Sequence, residues 1–259
     1  MDHVKAPEFK HALVPLQAHS ERADQLKESF GRTDLYKTGS SKLDAYLGGG
    51  VGRKHGYEMV LIHAEPGVGK SLLGLNMVID PIKKGLNVGL MILEDDPADV
   101  LNRLRVMTDG EIDEADNVFF ADDQSGGYTL EQAMQAIEMW FEVCDVILLD
   151  HLEYLFVGAV GESERAQFQR QELWMRRLNS LMKKNGKTII MIQHTNKGGD
   201  EGMSKIKGSS AFAQTCSKVI FLKRGDAGNL MLMLQKTRFT PYRTGWLEVG
   251  VDRFRVKDV

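Results

Sequence analysis

Two cysteines, Cys144 and Cys216, among 259 residues are too few for a disulfide framework or a cysteine-rich metal site. No apolar run approaches the roughly eighteen residues of a membrane span, which excludes a transmembrane reading. The start, Met1-Asp2-His3-Val4-Lys5-Ala6-Pro7, lacks the apolar core of a signal peptide. Excess charge is also missing: 33 Lys+Arg stand against 36 Asp+Glu, a net charge of −3. A disordered polyelectrolyte is therefore excluded, and any nucleic-acid contact must rest on local charge. These absences predict a cytoplasmic location. With 42% hydrophobic residues, the length suffices to bury the core of one large domain or two small ones.

What is present alternates. Apolar strands are expected at Tyr57–His63, Asn87–Leu93, Asn117–Ala121, Asp145–Asp150, Lys187–Gln193 and Lys218–Leu222. Helical patterns fall between them, at Lys70 to about Lys84, Ala98–Met107, Leu130–Phe141 and Glu164–Lys184. Near-continuous apolar strands separated by helices predict an α/β fold with a mainly parallel central sheet covered on both faces. After Arg224 the pattern changes to strands joined by short turns, at Leu230–Lys236, Trp246–Val249 and Phe254–Lys257. Residues 1–36 are polar and form an arm; residues 37–259 form the main domain. Within the arm, Ala23, Leu26 and Phe30 make one narrow helical stripe, which needs a docking surface on this subunit or a neighbour.

Ala64-Glu65-Pro66-Gly67-Val68-Gly69-Lys70-Ser71, between the first strand and its helix, is a Walker A loop with Ala at its first glycine. Small residues let backbone N–H groups turn inward around phosphates, and the helix N-terminus adds its positive end. Lys70 would reach the β- and γ-phosphates of ATP or another nucleotide, and Ser71 would offer its hydroxyl to Mg²⁺. Val146-Ile147-Leu148-Leu149-Asp150 ends an apolar strand in the carboxylate expected of a Walker B metal ligand. Glu94, at the end of the second strand, is the candidate to polarise the attacking water; Asp95 and Asp96 compete with it or cap the next helix. His194, after Gln193 at the end of the fifth strand, is the candidate γ-phosphate sensor. His63, Trp140, Trp174, Met182, Met191, Met231 and Met233 read as packing residues.

The set resembles the RecA-type helicase domain of the DnaB superfamily, in its phage primase-helicase and Twinkle-type branch. The resemblance covers about residues 38 to 250. It starts at Thr38-Gly39-Ser40-Ser41-Lys42-Leu43-Asp44 and includes Leu93-Glu94, Leu148-Leu149-Asp150-His151 and Gly161-Glu162-Ser163-Glu164-Arg165. It continues through Ile192-Gln193-His194 and Lys207-Gly208-Ser209-Ser210-Ala211 to Lys236-Thr237-Arg238-Phe239-Thr240. The resemblance implies a RecA-like P-loop core. It implies that Arg238 is a finger for the neighbouring subunit's nucleotide, assisted by Lys236, and that Gln214 couples nucleotide state to a DNA loop. It implies that Arg224 packs on the nucleotide base, with Val249 where related proteins stack an aromatic. The helix at 20–30 is similar to the family's linker helix, implying a homo-oligomeric ring, of hexamer type, or an open spiral. A primase half is missing from the matched stretch, so a primase, polymerase or loader would be a separate partner.

Between 183 and 224 lysines and arginines outnumber the acids, which are Asp200 and Glu201 alone. The segment after His194 holds Lys197, Gly198, Gly199, Lys205 and Lys207, able to track the phosphates of single-stranded DNA without reading bases. The expected activity is that of an ATP-driven DNA helicase in replication. Two alternatives use the same core: a RecA/RadA-like recombinase or mediator, which the Phe9-x-x-Ala12 echo of a recombinase linking peptide favours, and a non-catalytic helicase-loading nucleotide switch.

Overall fold

A computed structural model describes residues 35–52, 56–121, 129–152, 155, 163–195, 206, 211–238 and 245–259. The expectations for the 20–30 helix, Phe9 and Ala12 fall outside these residues.

The expected alternation is present. Short helix α1 (Ser41–Tyr46) is followed by β1 (Glu58–Ala64), α2 (Lys70–Lys83), β2 (Val88–Ile92), α3 (Pro97–Thr108), β3 (Val118–Phe120), α4 (Leu130–Val143) and β4 (Val146–Asp150). Then come α5 (Glu164–Asn185), β5 (Thr188–His194), α6 (Ala211–Thr215), β6 (Lys218–Arg224), β7 (Leu230–Thr237), β8 (Trp246–Asp252) and β9 (Arg255–Lys257). They form one nine-stranded sheet in the order β3-β2-β4-β5-β1-β6-β7-β8-β9. The first six strands pair in parallel and β7, β8 and β9 add on antiparallel.

Strand β1 is buried along its whole length because helices cover both its faces. Val60 and Ile62 point into one apolar core with Leu73, Val78 and Leu104, whereas Met59 and Leu61 point into the other with Ile137, Trp174 and Phe212. The two cores follow from the period-2 alternation of strand side chains. Helix boundaries have local causes. Asp96 caps α3 by accepting from the Ala98 N–H at 2.7 Å, with Pro97 at the first position. Thr129 and Gln132 form a capping box on α4. Gly186 ends α5 in the left-handed region at φ 65°. The Thr38–Asp44 motif is also a capping unit: the Thr38 N–H and hydroxyl both donate to Asp44 Oδ1, and Ser40 Oγ accepts from the Leu43 N–H.

Two details differ from the sequence reading. Strand β2 stops at Ile92, so Glu94 stands in the bend beyond it, not at the strand end. Met231 and Met233 are half-buried rather than core, because β7 exposes alternate residues on a face where it turns away from the helices. Met182, Met191 and Trp174 are core residues, and Trp140 packs against the same cluster while half-buried.

Candidate functional site

Parallel strands present their C-terminal ends along one edge, where open α/β sheets bind ligands. The ends of β1, β4 and β5 meet there. After Ala64 the chain makes the Glu65–Gly69 loop, with Gly67 at φ 73° and Gly69 at φ 121°, before entering α2. Left-handed backbone at both positions explains the two glycines. A Cβ on Gly69 would also lie 3.2 Å from Leu230 at the start of β7. Helix α2 begins without a side-chain cap, which leaves its first N–H groups to an anion.

Lys70 is buried, and its ammonium donates to the Glu65 carbonyl at 3.0 Å and lies 3.2 Å from His194 Nδ1. An ammonium only donates, so His194 Nδ1 is the acceptor. Asp150 is buried at the end of β4. Burial pushes its carboxyl up to about 7; the Ser71 hydroxyl bonded to it lowers it, the Glu94 and Asp95 charges raise it, and Lys70 lowers it. Asp150 Oδ1 is buried with no hydrogen bond among the described residues, although His151 Nδ1 stands 3.1 Å away. A buried carboxylate short of donors beside a hydroxyl is a hard-oxygen environment of the kind Mg²⁺ takes together with substrate phosphates. Ser71 and Asp150 therefore fit the metal that a phosphate loop implies.

The three carboxylates after β2 have separate duties. Asp96 caps α3, Asp95 pairs with Arg103 at 2.5 Å, and Glu94 Oε2 lies 2.5 Å from His151 Nδ1. The ring of His151 stacks on His194, with centroids 4.3 Å apart and planes 19° apart. Burial holds the His151 pKa down at about 3, helped by His194 and Lys70. Ligand atoms of Glu94, His151 and His194 lie within 4.8 Å of one another. Near-parallel stacking aims the in-plane lone pairs of the two rings alongside each other rather than at one point, so the trio is arranged for hydrogen bonding and not for chelation.

Arg224, at the end of β6, donates from Nη2 to the Gly67 carbonyl at 2.7 Å, a contact with the loop that no motif predicted. Val249 is buried in the core opposite Leu230. Gln214, Lys236 and Arg238 come together elsewhere. Lys236 donates to the Ala213 and Gln214 carbonyls, and Arg238 Nη2 donates to the Gln214 carbonyl at 2.5 Å. Both cations sit at the carbonyl end of α6. Burial and the Arg238 charge lower the Lys236 pKa. This group lies at the N-terminal edge of the parallel strands, since Thr237 pairs with Lys218 and Lys218 with Val60. Lys197, Gly198, Gly199, Lys205 and Lys207 lie outside the described residues, as do Gly161 and Glu162. His63 is buried beneath the loop, with Nε2 2.7 Å from Gln235 Oε1, and burial lowers its pKa to about 4.

The family model for the KaiC ATPase matches residues 36–249. No curated protein sequence matches the chain. Among solved structures, the ATPase domain of a DnaB-type helicase is 16% identical, covering 94% of this chain and 98% of that one, with a TM-score of 0.75. The KaiC-like protein PH0186 from the hyperthermophilic archaeon Pyrococcus horikoshii OT3 is 14% identical, covering 86% and 97%, with a TM-score of 0.65. At these identities the shared property is the fold, which is RecA-like. No helix among the described residues is long and apolar enough to cross a membrane.

Proposed function

Because the chain belongs to the KaiC ATPase family, we propose that it is a motor ATPase that translocates on single-stranded DNA as a ring or spiral of identical subunits, as a replicative helicase does. The observation that supports this reading is the position of Arg238. Its strand leaves it at the edge of the sheet opposite the phosphate loop of its own subunit, while Lys70, Ser71, Glu94, Asp150 and His194 gather at the other edge. A finger that cannot reach its own nucleotide is suited to a neighbour's.

Each group then has a task. The loop N–H groups and Lys70 hold the β- and γ-phosphates, Lys70 releasing the Glu65 carbonyl to do so. Ser71 and Asp150 hold Mg²⁺, which when bound neutralises charge on the phosphates. Glu94 orients the attacking water, and His194, already hydrogen-bonded to Lys70, registers the γ-phosphate. Arg224 fixes the loop through Gly67, within reach of the nucleotide base. Arg238, with Lys236, supplies forked donors to the charge developing at the adjacent subunit's phosphate. Gln214 links that edge to the segment carrying Lys197, Gly198, Gly199, Lys205 and Lys207, which tracks the DNA backbone.

The test is hydrolysis with and without single-stranded DNA, together with the mass of the nucleotide-bound assembly. DNA-stimulated hydrolysis by an oligomer, with DNA affinity that falls steeply with salt, is the expected result. Hydrolysis by a monomer at full rate, indifferent to DNA, would overturn it. Strand exchange without unwinding of a forked duplex would assign the recombinase reading instead.

A further inference from the structure

His151 belongs to the Leu148–His151 motif, yet neither the phosphate chemistry nor the metal gives it a task. We infer that His151 is a positioning residue: its Nδ1–H holds the Glu94 carboxylate in place for attack on the phosphate, while its ring backs the ring of His194. This deepens the proposed function and rests on Glu94 being the water-orienting base.

The local geometry carries the inference. Glu94 stands two residues past the end of β2, and its side chain is 42% exposed. Strand pairing therefore fixes its backbone but not its carboxylate, although the Leu93 N–H still donates to the Asp150 carbonyl at 2.5 Å. His151 follows Asp150 on the neighbouring strand and is only 2% exposed. Its Nδ1 faces two carboxylates, Glu94 Oε2 at 2.5 Å and Asp150 Oδ1 at 3.1 Å. Carboxylates accept, so Nδ1 carries the proton and the tautomer is set. The other face of the problem is rotation of the ring, which stacking on His194 at 4.3 Å restrains. His194 in turn accepts from Lys70. One buried ring thus touches the base, the metal carboxylate and the sensor, so that the three keep a common register. A base misplaced by about 1 Å can cost on the order of 10²-fold in rate, which sets the scale of what His151 protects.

The tautomer makes the test specific. In His151→Asn the amide nitrogen falls near the position of Nδ1, in His151→Gln it falls near Nε2, and His151→Phe keeps the stack without any donor. Steady-state hydrolysis and nucleotide affinity would be measured on all three, with Glu94→Gln alongside and thermal melting as the check on folding. The expected result is a loss of about 10²-fold in kcat for Phe and Gln with nucleotide Kd little changed, and recovery of most of that loss in Asn. Full kcat in the Phe variant, or an Asn variant as slow as Gln, would overturn the inference. Should the Phe variant not fold, Asn against Gln decides alone. If Glu94→Gln itself hydrolyses at the wild-type rate, the base assignment has failed. If Glu94→Gln is inactive and the Phe variant is not, only the role of His151 has failed.

Discussion

Arg224 and Arg238 stand at opposite ends of one β-hairpin. Arg224 pairs with Leu230 beside the hairpin turn and reaches the phosphate loop at Gly67; Thr237 pairs with Lys218 at the far end, where the Arg238 N–H donates to the Ser217 carbonyl. The seven residues of β6 separate them by roughly 20 Å. One arginine is thus committed to its own subunit's loop, and the other is barred from it.

A mixing experiment follows from this separation. Arg238→Ala should lose about 10³-fold or more in hydrolysis while still binding nucleotide, and Lys70→Ala should lose activity through its loop. Mixed together they should regain activity, since an Arg238→Ala loop beside a Lys70→Ala finger is a complete site. Absence of any recovery in verified mixed oligomers would place both residues in one subunit's site.

Lys218 and Glu58 form an ion pair buried at the N-terminal edge of the sheet, 2.7 Å apart. The Lys218 ammonium also donates to the Gly50 carbonyl at 3.1 Å, and Glu58 Oε2 accepts from the Gly52 N–H at 2.6 Å. Lys218→Met strands a buried carboxylate and should cost about 3–5 kcal/mol. Adding Glu58→Gln removes the stranded charge while keeping an acceptor for Gly52, and should restore part of the loss. Urea midpoints of the two variants measure it.

Burial keeps His63 neutral, with its pKa lowered from 6.5 to about 4. Between these values the unfolded chain binds a proton that the folded chain refuses, so stability rises with pH from about 4 to 6.5 and then levels. The group contributes a pH-dependent loss on the order of 3 kcal/mol on going from pH 7 to pH 4. His151 acts with the same sign. A His63→Phe variant should show a flatter stability profile over that window by denaturant titration, and an unchanged slope would refute the assignment.

Gly89 lies in β2 where an added Cβ would come within 2.5 Å of the Trp140 ring and 3.2 Å of Cys144 Sγ. Gly89→Ala should therefore destabilise the domain by about 1–3 kcal/mol. Trp140→Leu in the same chain makes room and should return part of it, whereas a neutral Gly89→Ala would show that Trp140 gives way freely. Chemical denaturation of the two variants distinguishes these outcomes.

Strong, regular signals are legible in the amino-acid sequence. The apolar strands ending at Asp150 and His194 can be read there to within a residue or so, because buried parallel strands have little freedom in composition. The Walker A loop is legible because glycines at φ 73° and 121° admit few other residues. Glu94 is different: Leu93 looks like strand by hydrophobicity, and only pairing shows that β2 stops at Ile92. Met231 and Met233 look like core by type; that their face of β7 is half-open depends on where the helices pack. Asp95 and Asp96 rival Glu94 in the sequence, and tertiary contacts separate them by giving one to Arg103 and the other to the Ala98 N–H.

The sequence by itself determined the RecA-like alternation and the identity of the phosphate loop, since period, apolar runs and glycine placement are local properties of the chain. Only the tertiary structure decided which residues meet. Strand order brings β4 between β2 and β5, and this lets His151 lie against both Glu94 and His194 although they are one hundred positions apart in the chain. The antiparallel return of β7 carries Arg238 to the other edge. Neither fact is written in any local pattern, because register and strand order are settled by the packing of the whole sheet.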